Sequence, residues 1–197
     1  MARDTRRAMI RTAVQVLRER GADGLTVEEV LARSSAPKGS VYYHFPGGRT
    51  ELIDEALSFA GASMTALLER AVADGPESVL GEFVGMWRRV LIDSGYTAGC
   101  PVVSVAISGS ESPESAAKAR QFFTDWTDAL ATAFAAEGMS KAVARQLATM
   151  SVASIEGAVI LCRAQAEIAP LEDAVAQLRL LFNCHRFMRD NFAISME

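Results

Sequence analysis

Residues able to do acid–base, nucleophilic or metal chemistry are few and scattered in this 197-residue chain. There are two histidines, His44 and His185, and three cysteines, Cys100, Cys162 and Cys184. His185 follows Cys184 directly, and adjacent helical residues point about 100° apart, so this pair does not chelate one metal. No CxxC pair, Ser-His-Asp set or glycine-rich phosphate loop can be assembled. We therefore expect no enzyme, no bound metal and no cofactor.

A short segment combines cationic, hydroxylated and aromatic side chains, and residues 37–45 read PKGSVYYHF. Val41 and Phe45 are four residues apart and can pack on a core from one helical face. The other side chains suit phosphates, base edges and thymine methyl groups. They are Lys38, Ser40, Tyr42, Tyr43 and His44. The segment predicts binding to duplex DNA; the alternative is a three-helix bundle that binds nothing.

Two helices and a tight turn are predicted in front of this segment. The first covers about residues 4–20, where apolar side chains recur at the i, i+3, i+4, i+7 spacing of one helical face. Thr26 is a good N-cap for the second helix, and Glu29, three residues later, completes a capping box. Residues 34–36 form the turn, and Pro37 suits the first position of a third helix. This order is the helix-turn-helix arrangement, whose last helix can lie in the major groove.

Longer helices follow the Pro46-Gly47-Gly48 stop, and no run of alternating β-branched residues predicts a strand. Six further helices are expected, over about residues 49–73, 76–93, 100–108, 112–136, 141–165 and 171–189. The sequence therefore predicts an all-α fold of about nine helices.

Charge is distributed unevenly along the chain. Residues 1–50 carry nine Lys and Arg against five Asp and Glu, a net +4. Residues 51–197 carry eleven against nineteen, a net −8, and the two parts sum to the −4 of the whole chain. A basic head on an acidic body suits a protein in which only the head approaches phosphates. Chance is the alternative, because a difference of a few charges is common.

Nothing in the sequence predicts export or insertion into a membrane. The first four residues are followed by charge rather than by an apolar core segment. Three cysteines without a CxxC pair argue against a disulfide-stapled secreted domain. The longest apolar stretches are interrupted by polar residues before they could span a bilayer. We therefore expect a cytoplasmic protein.

Large, soft side chains concentrate in the predicted helices of the body, and both tryptophans are among them. A cavity between helices that is lined by aromatics and few polar groups is a usual site for an apolar or planar molecule. Plain core packing is the alternative for each residue. The candidate pocket residues are Phe83, Met86, Trp87, Val90, Val103, Ile107, Phe122, Phe123, Trp126, Met150 and Ser154.

The head resembles that of the TetR family of bacterial transcriptional regulators. The resemblance is carried by TVEEV at residues 26–30 and by PKGSVYYHFPGGRTEL at residues 37–52. It implies a helix-turn-helix DNA-binding domain over residues 1–48 and a helical ligand-binding and dimerisation domain over residues 49–197. A second stretch, GCPV from Gly99 with a later EGA, is similar to the LmrA/YxaF branch, whose members repress efflux or detoxification genes.

The resemblance assigns DNA contacts to Arg3, Arg6, Thr26, Pro37, Lys38, Ser40, Tyr42, Tyr43, His44 and Arg49. Thr26 would offer its hydroxyl and backbone N–H to a phosphate. Arg49 would clamp the DNA backbone from the side. Arg3, Arg6 and Arg7 would form an arm in the minor groove, with a solvated tail as the alternative.

Two positions depart from the commonest pattern of the family. Ser35 stands where the turn often has Gly, and Pro37 stands where a Ser or Thr often caps the third helix. The loss of a hydroxyl at Pro37 would remove a phosphate contact.

The last two predicted helices carry small and apolar residues suited to a four-helix dimer interface, with burial inside one chain as the alternative. The candidates are Ala153, Gly157, Ala158, Leu161, Leu178, Leu181 and Phe182. The resemblance then implies a homodimeric repressor that binds a palindromic operator and is released by a small, largely apolar effector. The alternatives are a thiol-based redox sensor acting through Cys100 and a small helical enzyme.

Overall fold

The structure, a computed structural model, describes residues 2–108 and 112–192 and is all-helical over that part of the chain. This confirms the predicted fold class. The helices are α1 (Ala2–Arg20), α2 (Val27–Ser34), α3 (Ser40–His44), α4 (Gly48–Val72), α5 (Pro76–Asp93), α6 (Pro101–Ile107), α7 (Pro113–Ala136), α8 (Lys141–Gln165) and α9 (Ala169–Phe192).

Helix starts fall where the sequence carries a proline or a hydroxylated cap. Pro76 opens α5, and Ser140 caps α8 by accepting a hydrogen bond from the Val143 N–H at 3.3 Å. The predicted start of the third helix at Pro37 is wrong. Gly39 has a left-handed backbone with φ of 91°, so Pro37 to Gly39 form a turn and α3 begins at Ser40.

The chain divides into two compact units. The first unit comprises Met1–Ser63 and Thr97–Phe122, and the second comprises Met64–Tyr96 and Phe123–Glu197. This division by compactness does not test the predicted functional boundary after residue 48, which stays a prediction.

In the first unit, α1 packs on α2, and Val41 of α3 and Phe45 directly after it are fully buried. Leu17 of α1, Leu25 before α2 and Val30 within α2 are fully or almost fully buried. Burying each of these side chains contributes about 1.5–3 kcal/mol, and this fixes the orientation of the helix-turn-helix.

Helix α6 also belongs to the first unit and packs on the end of α1. The Gly99 N–H donates to the Arg18 carbonyl at 2.8 Å, and the Ala22 N–H donates to Ser104 Oγ at 2.7 Å. Backbone groups at the end of a helix have no hydrogen-bond partner within the helix. At the end of α1, Gly99 and Ser104 provide these partners from about 80 positions later in the chain. We refer to this arrangement as the α1–α6 contact.

In the second unit, α8 and α9 pack on each other and both pack on α5. The rings of Phe134 and Phe182 lie 5.8 Å apart, and Arg179 pairs with Glu77 at 3.2 Å. Among the described helices, α8 alone is long and apolar enough to cross a bilayer. Half of its apolar stretch is buried inside the protein, as in a core helix, so our expectation that no stretch is long enough was too strict at α8.

Candidate nucleic-acid interface

Two local features set the geometry of the helix-turn-helix. Thr26 has an extended backbone, and its Oγ1 accepts a hydrogen bond from the Glu29 N–H at 3.1 Å, which confirms the predicted N-cap. The Glu29 carboxylate accepts from Arg33 Nε at 2.7 Å. Ser35 ends α2 in the left-handed region with φ of 54°, the backbone conformation that favours glycine.

Helix α3 is anchored on one face and open on the other. Val41 and Phe45 are fully buried, as predicted. Tyr42 and Tyr43 are 66% and 77% exposed, and Lys38, in the turn before the helix, is exposed as well. The hydroxyl of a tyrosine ring that remains in water is available to hydrogen-bond a binding partner. The surface on which the DNA-binding prediction depends is therefore presented to solvent.

Two of the remaining residues predicted to contact DNA, Ser40 and His44, already have partners within the chain. Ser40 Oγ donates to the Pro37 carbonyl at 2.7 Å, which leaves its lone pairs but not its proton for DNA. His44 is half-buried, and its ring meets that of Tyr43 edge to face at 4.9 Å. Pro37 and Thr26 are exposed.

Two predicted arginine contacts have structural partners instead. Arg49 donates from Nε to the Leu25 carbonyl at 2.8 Å and from Nη2 to the Ala22 carbonyl at 2.6 Å. Arg6 pairs with Glu55 at 2.9 Å and lies 5.1 Å over the Phe45 ring. Both therefore hold the head together, and we leave them out of the proposed DNA contacts. The side chain of Arg3 lies outside the described part of the chain.

Three predicted pocket residues of the second unit, Phe83, Phe123 and Trp126, have neighbouring rings. We define the aromatic cluster as these three residues together with Trp87, which lies one turn after Phe83 on α5. The Trp126 ring lies 6.2 Å from Phe83 and 5.4 Å from Phe123. Trp126 Nε1 donates to Thr65 Oγ1 at 3.1 Å. The Trp87 indole N–H is buried, and no described residue accepts a hydrogen bond from it.

The other predicted pocket residues differ in exposure. In the second unit Met86, Val90 and Ser154 are half-buried, and Met150 is exposed. In the first unit Val103 and Phe122 are half-buried, whereas Ile107 is 78% exposed. A Cβ at Gly61 would overlap the Phe122 ring, so Phe122 packs tightly against the α4 backbone. Because Ile107 projects into solvent and Phe122 serves packing, the proposed effector site is restricted below to the aromatic cluster.

The predicted dimer residues separate into covered and open positions. Ala158, Leu178 and Phe182 are buried by residues of their own chain, so they are not available to a second copy. Ala153, Leu161 and Leu181 are exposed, and Gly157 is half-buried. Further apolar residues on the same two helices are exposed without having been predicted at the interface, and they are Ile160, Leu180 and Met188. The sequence did carry a signal for those on α9, because the apolar positions of this helix spread over more than one helical face.

Two of the three cysteines, Cys100 and Cys162, are buried, and Cys184 is exposed. Cys100 is buried, and its Sγ caps α6 by accepting from the Val103 N–H at 3.5 Å. Burial raises the pKa of the Cys162 thiol, which disfavours a thiolate. Within the described ranges no three His, Cys, Asp or Glu side chains lie close enough to hold a metal ion. We do not carry the thiol-sensor alternative forward.

Family profiles and relatives match most of the chain. The profile for bacterial regulatory proteins of the TetR family matches residues 9–56, and that for the C-terminal domain of LmrA/YxaF-like transcriptional regulators matches residues 76–177. The chain is 34% identical over 182 residues to an uncharacterized HTH-type transcriptional regulator of Mycobacterium tuberculosis H37Rv, covering 89% of this chain and 93% of that protein. It is 26% identical over 175 residues to LmrA of Bacillus subtilis, covering 85% and 91%.

Solved structures share the fold. The regulatory protein TetR from Rhodobacter sphaeroides superposes with a TM-score of 0.79 at 22% identity, over 87% of this chain and 95% of that one. A TetR transcriptional regulator from Legionella pneumophila gives a TM-score of 0.77 at 16% identity, over 88% and 95%.

Proposed function

The chain belongs to the TetR family of bacterial transcriptional regulators, with a C-terminal domain of the LmrA/YxaF type, and from this premise we propose that it is a homodimeric cytoplasmic repressor, released from a palindromic operator by a small, largely apolar effector. The relatives are regulators, not enzymes. The observation that carries the proposal is the exposure of Tyr42 and Tyr43 on a helix whose Val41 and Phe45 are buried.

Operator recognition is assigned to the open face of α3 and the turn before it. Lys38 and Ser40 contact base edges or phosphates, and Tyr42 packs on a thymine methyl group or reaches a phosphate. Tyr43 and His44 bind phosphates, and Thr26 at the start of α2 offers its backbone N–H to another. Pro37 lies on the same surface and contributes contact without a donor.

Dimerisation is assigned to the exposed apolar residues of α8 and α9. A five-residue helix reads few base pairs, so specificity requires two copies about 34 Å apart, one per half-site. Leu161 and Leu181 are 50% and 41% exposed in the single chain, which is unusual for leucines of long core helices. A second copy related by a two-fold axis would cover them.

Effector binding is assigned to the aromatic cluster of the second unit. Helix α4 is continuous through residues that belong to both units. An effector that binds one arrangement of the cluster better than another would shift α4 and with it the spacing of the two heads. A differential affinity of a few kcal/mol is enough to change operator occupancy.

Operator binding is tested by fluorescence anisotropy with a duplex that contains the region upstream of the protein's own gene. Lys38→Ala and Tyr42→Ala should each weaken binding about 10-fold or more without changing the oligomeric state, since such a contact is worth about 1–3 kcal/mol. Ile92→Ala, at an exposed isoleucine of α5, is the matched control. Normal binding by both head variants would contradict the assignment of the recognition surface.

The dimer is tested by sedimentation of Leu161→Glu, which places two carboxylates at the proposed interface and should yield a monomer. Ile92→Glu, at a similarly exposed position on α5, should remain dimeric. A wild-type protein that sediments as a monomer would remove both the dimer and the palindrome from the proposal.

A further inference from the structure

The indole N–H of Trp87 is a buried donor for which the function proposed above gives no role. Trp87 is 1% exposed, its Nε1 is buried, and no described residue accepts a hydrogen bond from it. The indole nitrogen can donate but not accept, so only an acceptor can satisfy it. Folded proteins rarely leave such a group without a partner, because burial removes its hydrogen bond to water. An acceptor from outside the described chain is therefore expected at this point.

The second tryptophan of the aromatic cluster shows the same group with a partner inside the chain. Trp126 is also 1% exposed, and its Nε1 donates to Thr65 Oγ1 at 3.1 Å. Its ring lies 6.2 Å from that of Phe83, which is one turn before Trp87 on α5. Residues four apart on a helix are neighbours, so both tryptophans lie beside Phe83. The fold thus supplies an acceptor for one indole of the cluster and not for the other.

The neighbours of Trp87 on α5 are apolar. Phe83 and Leu91, each one turn away on the same helix, are fully buried. A buried water needs two to four polar partners, and neither of these side chains offers one. An apolar molecule that carries its own acceptor fits such surroundings better than a water molecule, because the rest of its surface can pack on these side chains.

The buried face of α5 is partly open next to Trp87. Met86 and Val90 lie within about 100° of Trp87 around the helix, on the same side as Phe83. Both are half-buried, whereas Trp87 and Phe83 are covered. A methionine side chain is flexible and adapts to a neighbouring molecule. This edge of the face is where an apolar molecule can approach the indole.

The charges of the second unit favour an uncharged molecule. Every described lysine and arginine of this unit is at least partly exposed, so no buried cation is available to an anionic effector. Glu156 of α8, a helix that packs on α5, already places a carboxyl group in this interior. A cation is disfavoured beside Trp87, because the indole N–H is a donor with partial positive charge. Burying an ion without a counter-charge costs far more than burying a neutral polar group.

We infer that the effector is an uncharged molecule whose apolar frame carries a hydrogen-bond acceptor, such as a carbonyl oxygen, and that Trp87 Nε1 donates to this acceptor. The inference rests on the proposed function, because it takes the aromatic cluster as the effector site, and it adds the chemical class that this site selects. Apolar contacts give affinity to any molecule of suitable shape, whereas the Trp87 N–H discriminates against a molecule that lacks the acceptor.

Two neutral probes of nearly the same shape test the acceptor. 2-Acetylnaphthalene carries a ketone oxygen where 2-isopropenylnaphthalene carries a CH₂ group. Equilibrium dialysis against the wild-type protein should show about 10-fold or more tighter binding of the ketone, because the alkene leaves the buried N–H without an acceptor. Two charged analogues, 2-naphthoate and 2-naphthylmethylammonium, should bind more weakly than the ketone.

Two variants assign the preference to one indole. Trp87→Phe keeps an apolar ring and removes the N–H, so the ratio of ketone to alkene affinity should fall to about one. Trp126→Phe is the matched control, because the N–H that it removes is already bound to Thr65. It should change the affinities for both naphthalenes by the same factor and keep their ratio. Thermal melting by circular dichroism checks that both variants are folded.

Nuclear magnetic resonance of the wild-type protein gives a second measurement that needs no folded Trp87 variant. The chain has two tryptophans, so a ¹⁵N-labelled sample has two indole N–H signals, and Trp126→Phe identifies which is which. The ketone should move the Trp87 signal downfield, as a new hydrogen bond does, and the alkene should not.

The outcomes separate this inference from the proposed function. Equal or tighter binding of the alkene would show that the cluster selects by shape alone, so the inference fails and the effector site stands. A ratio that persists in Trp87→Phe, or ketone binding that leaves the Trp87 signal in place, would assign the acceptor to another donor and overturn the inference. Tightest binding of a charged analogue would overturn it as well.

A different result would defeat the effector site itself. If none of the four probes binds, or none moves either indole signal, the aromatic cluster does not receive a small apolar molecule. The inference and the effector part of the proposed function then fail together. Operator binding by α3, measured with Lys38→Ala and Tyr42→Ala, is decided independently of this result.

Discussion

The end of α3 and the aromatic cluster of the second unit are built from the same kinds of residue but have opposite surroundings. Tyr42 and Tyr43 lie on a five-residue helix held by two buried side chains, so most of its surface remains in water. Trp87 and Trp126 lie on long helices and are each 1% exposed. Aromatic residues at helical spacing therefore do not by themselves indicate a solvent-exposed surface. The length of the helix and the coverage of its faces decide whether such residues are exposed.

Truncating one residue from each region to alanine should give the largest difference in the free energy of unfolding. Trp126→Ala should lower the free energy of unfolding by about 3–5 kcal/mol, because it leaves a cavity and removes a buried hydrogen bond. Tyr43→Ala should change it by no more than about 0.5 kcal/mol, since its ring is mostly in water. Urea unfolding followed by circular dichroism measures both. Similar losses would show that the two regions are equally packed.

A smaller difference is expected inside the aromatic cluster. Trp126→Phe removes an indole N–H that is bound to Thr65, whereas Trp87→Phe removes a buried N–H that no described residue accepts. Both changes remove a similar volume, so Trp126→Phe should cost about 1 kcal/mol more than Trp87→Phe in free energy of unfolding. An equal or larger loss for Trp87→Phe would mean that its N–H has a partner, such as a bound water.

The smallest expected effect is a gain in the head. Ser35→Gly should raise the free energy of unfolding by about 0.5–1 kcal/mol, because a φ of 54° is strained for a residue with a Cβ. Ser34→Gly, one residue earlier and inside α2, should lower it by a similar amount. Differential scanning calorimetry of the two variants gives opposite shifts in Tm if the backbone conformation is as described.

Helices with a cap or an opening proline were predictable from the sequence, and the rest was not. Thr26, Pro76 and Ser140 mark starts that the structure confirms because these caps act within one turn. The start of α3 was missed, because the left-handed backbone of Gly39 cannot be distinguished in sequence from a glycine inside a helix. Pro37 favours a helix start, whereas Gly39 favours a turn, and the prediction that followed Pro37 was wrong.

The partners of individual side chains were less predictable than the helices. Arg49 was predicted to contact DNA, yet its hydrogen bonds go to carbonyls more than 20 residues earlier. Leu178 and Phe182 have the composition of an interface, but the chain covers them itself. Long-range pairing of this kind has no periodic signal.

The α1–α6 contact has a consequence for the order in which the protein can fold during synthesis. The Ala22 N–H finds its acceptor 82 residues later in the chain, so the end of α1 stays incomplete until α6 has left the ribosome. A fragment that stops after residue 48 would leave the Ala22 N–H and the Arg18 carbonyl to water and would expose the buried side of α1. We expect such a fragment to be cleaved faster by proteases than residues 1–63 co-expressed with residues 97–122. For this protein, the compact unit that contains the helix-turn-helix is not a continuous length of chain.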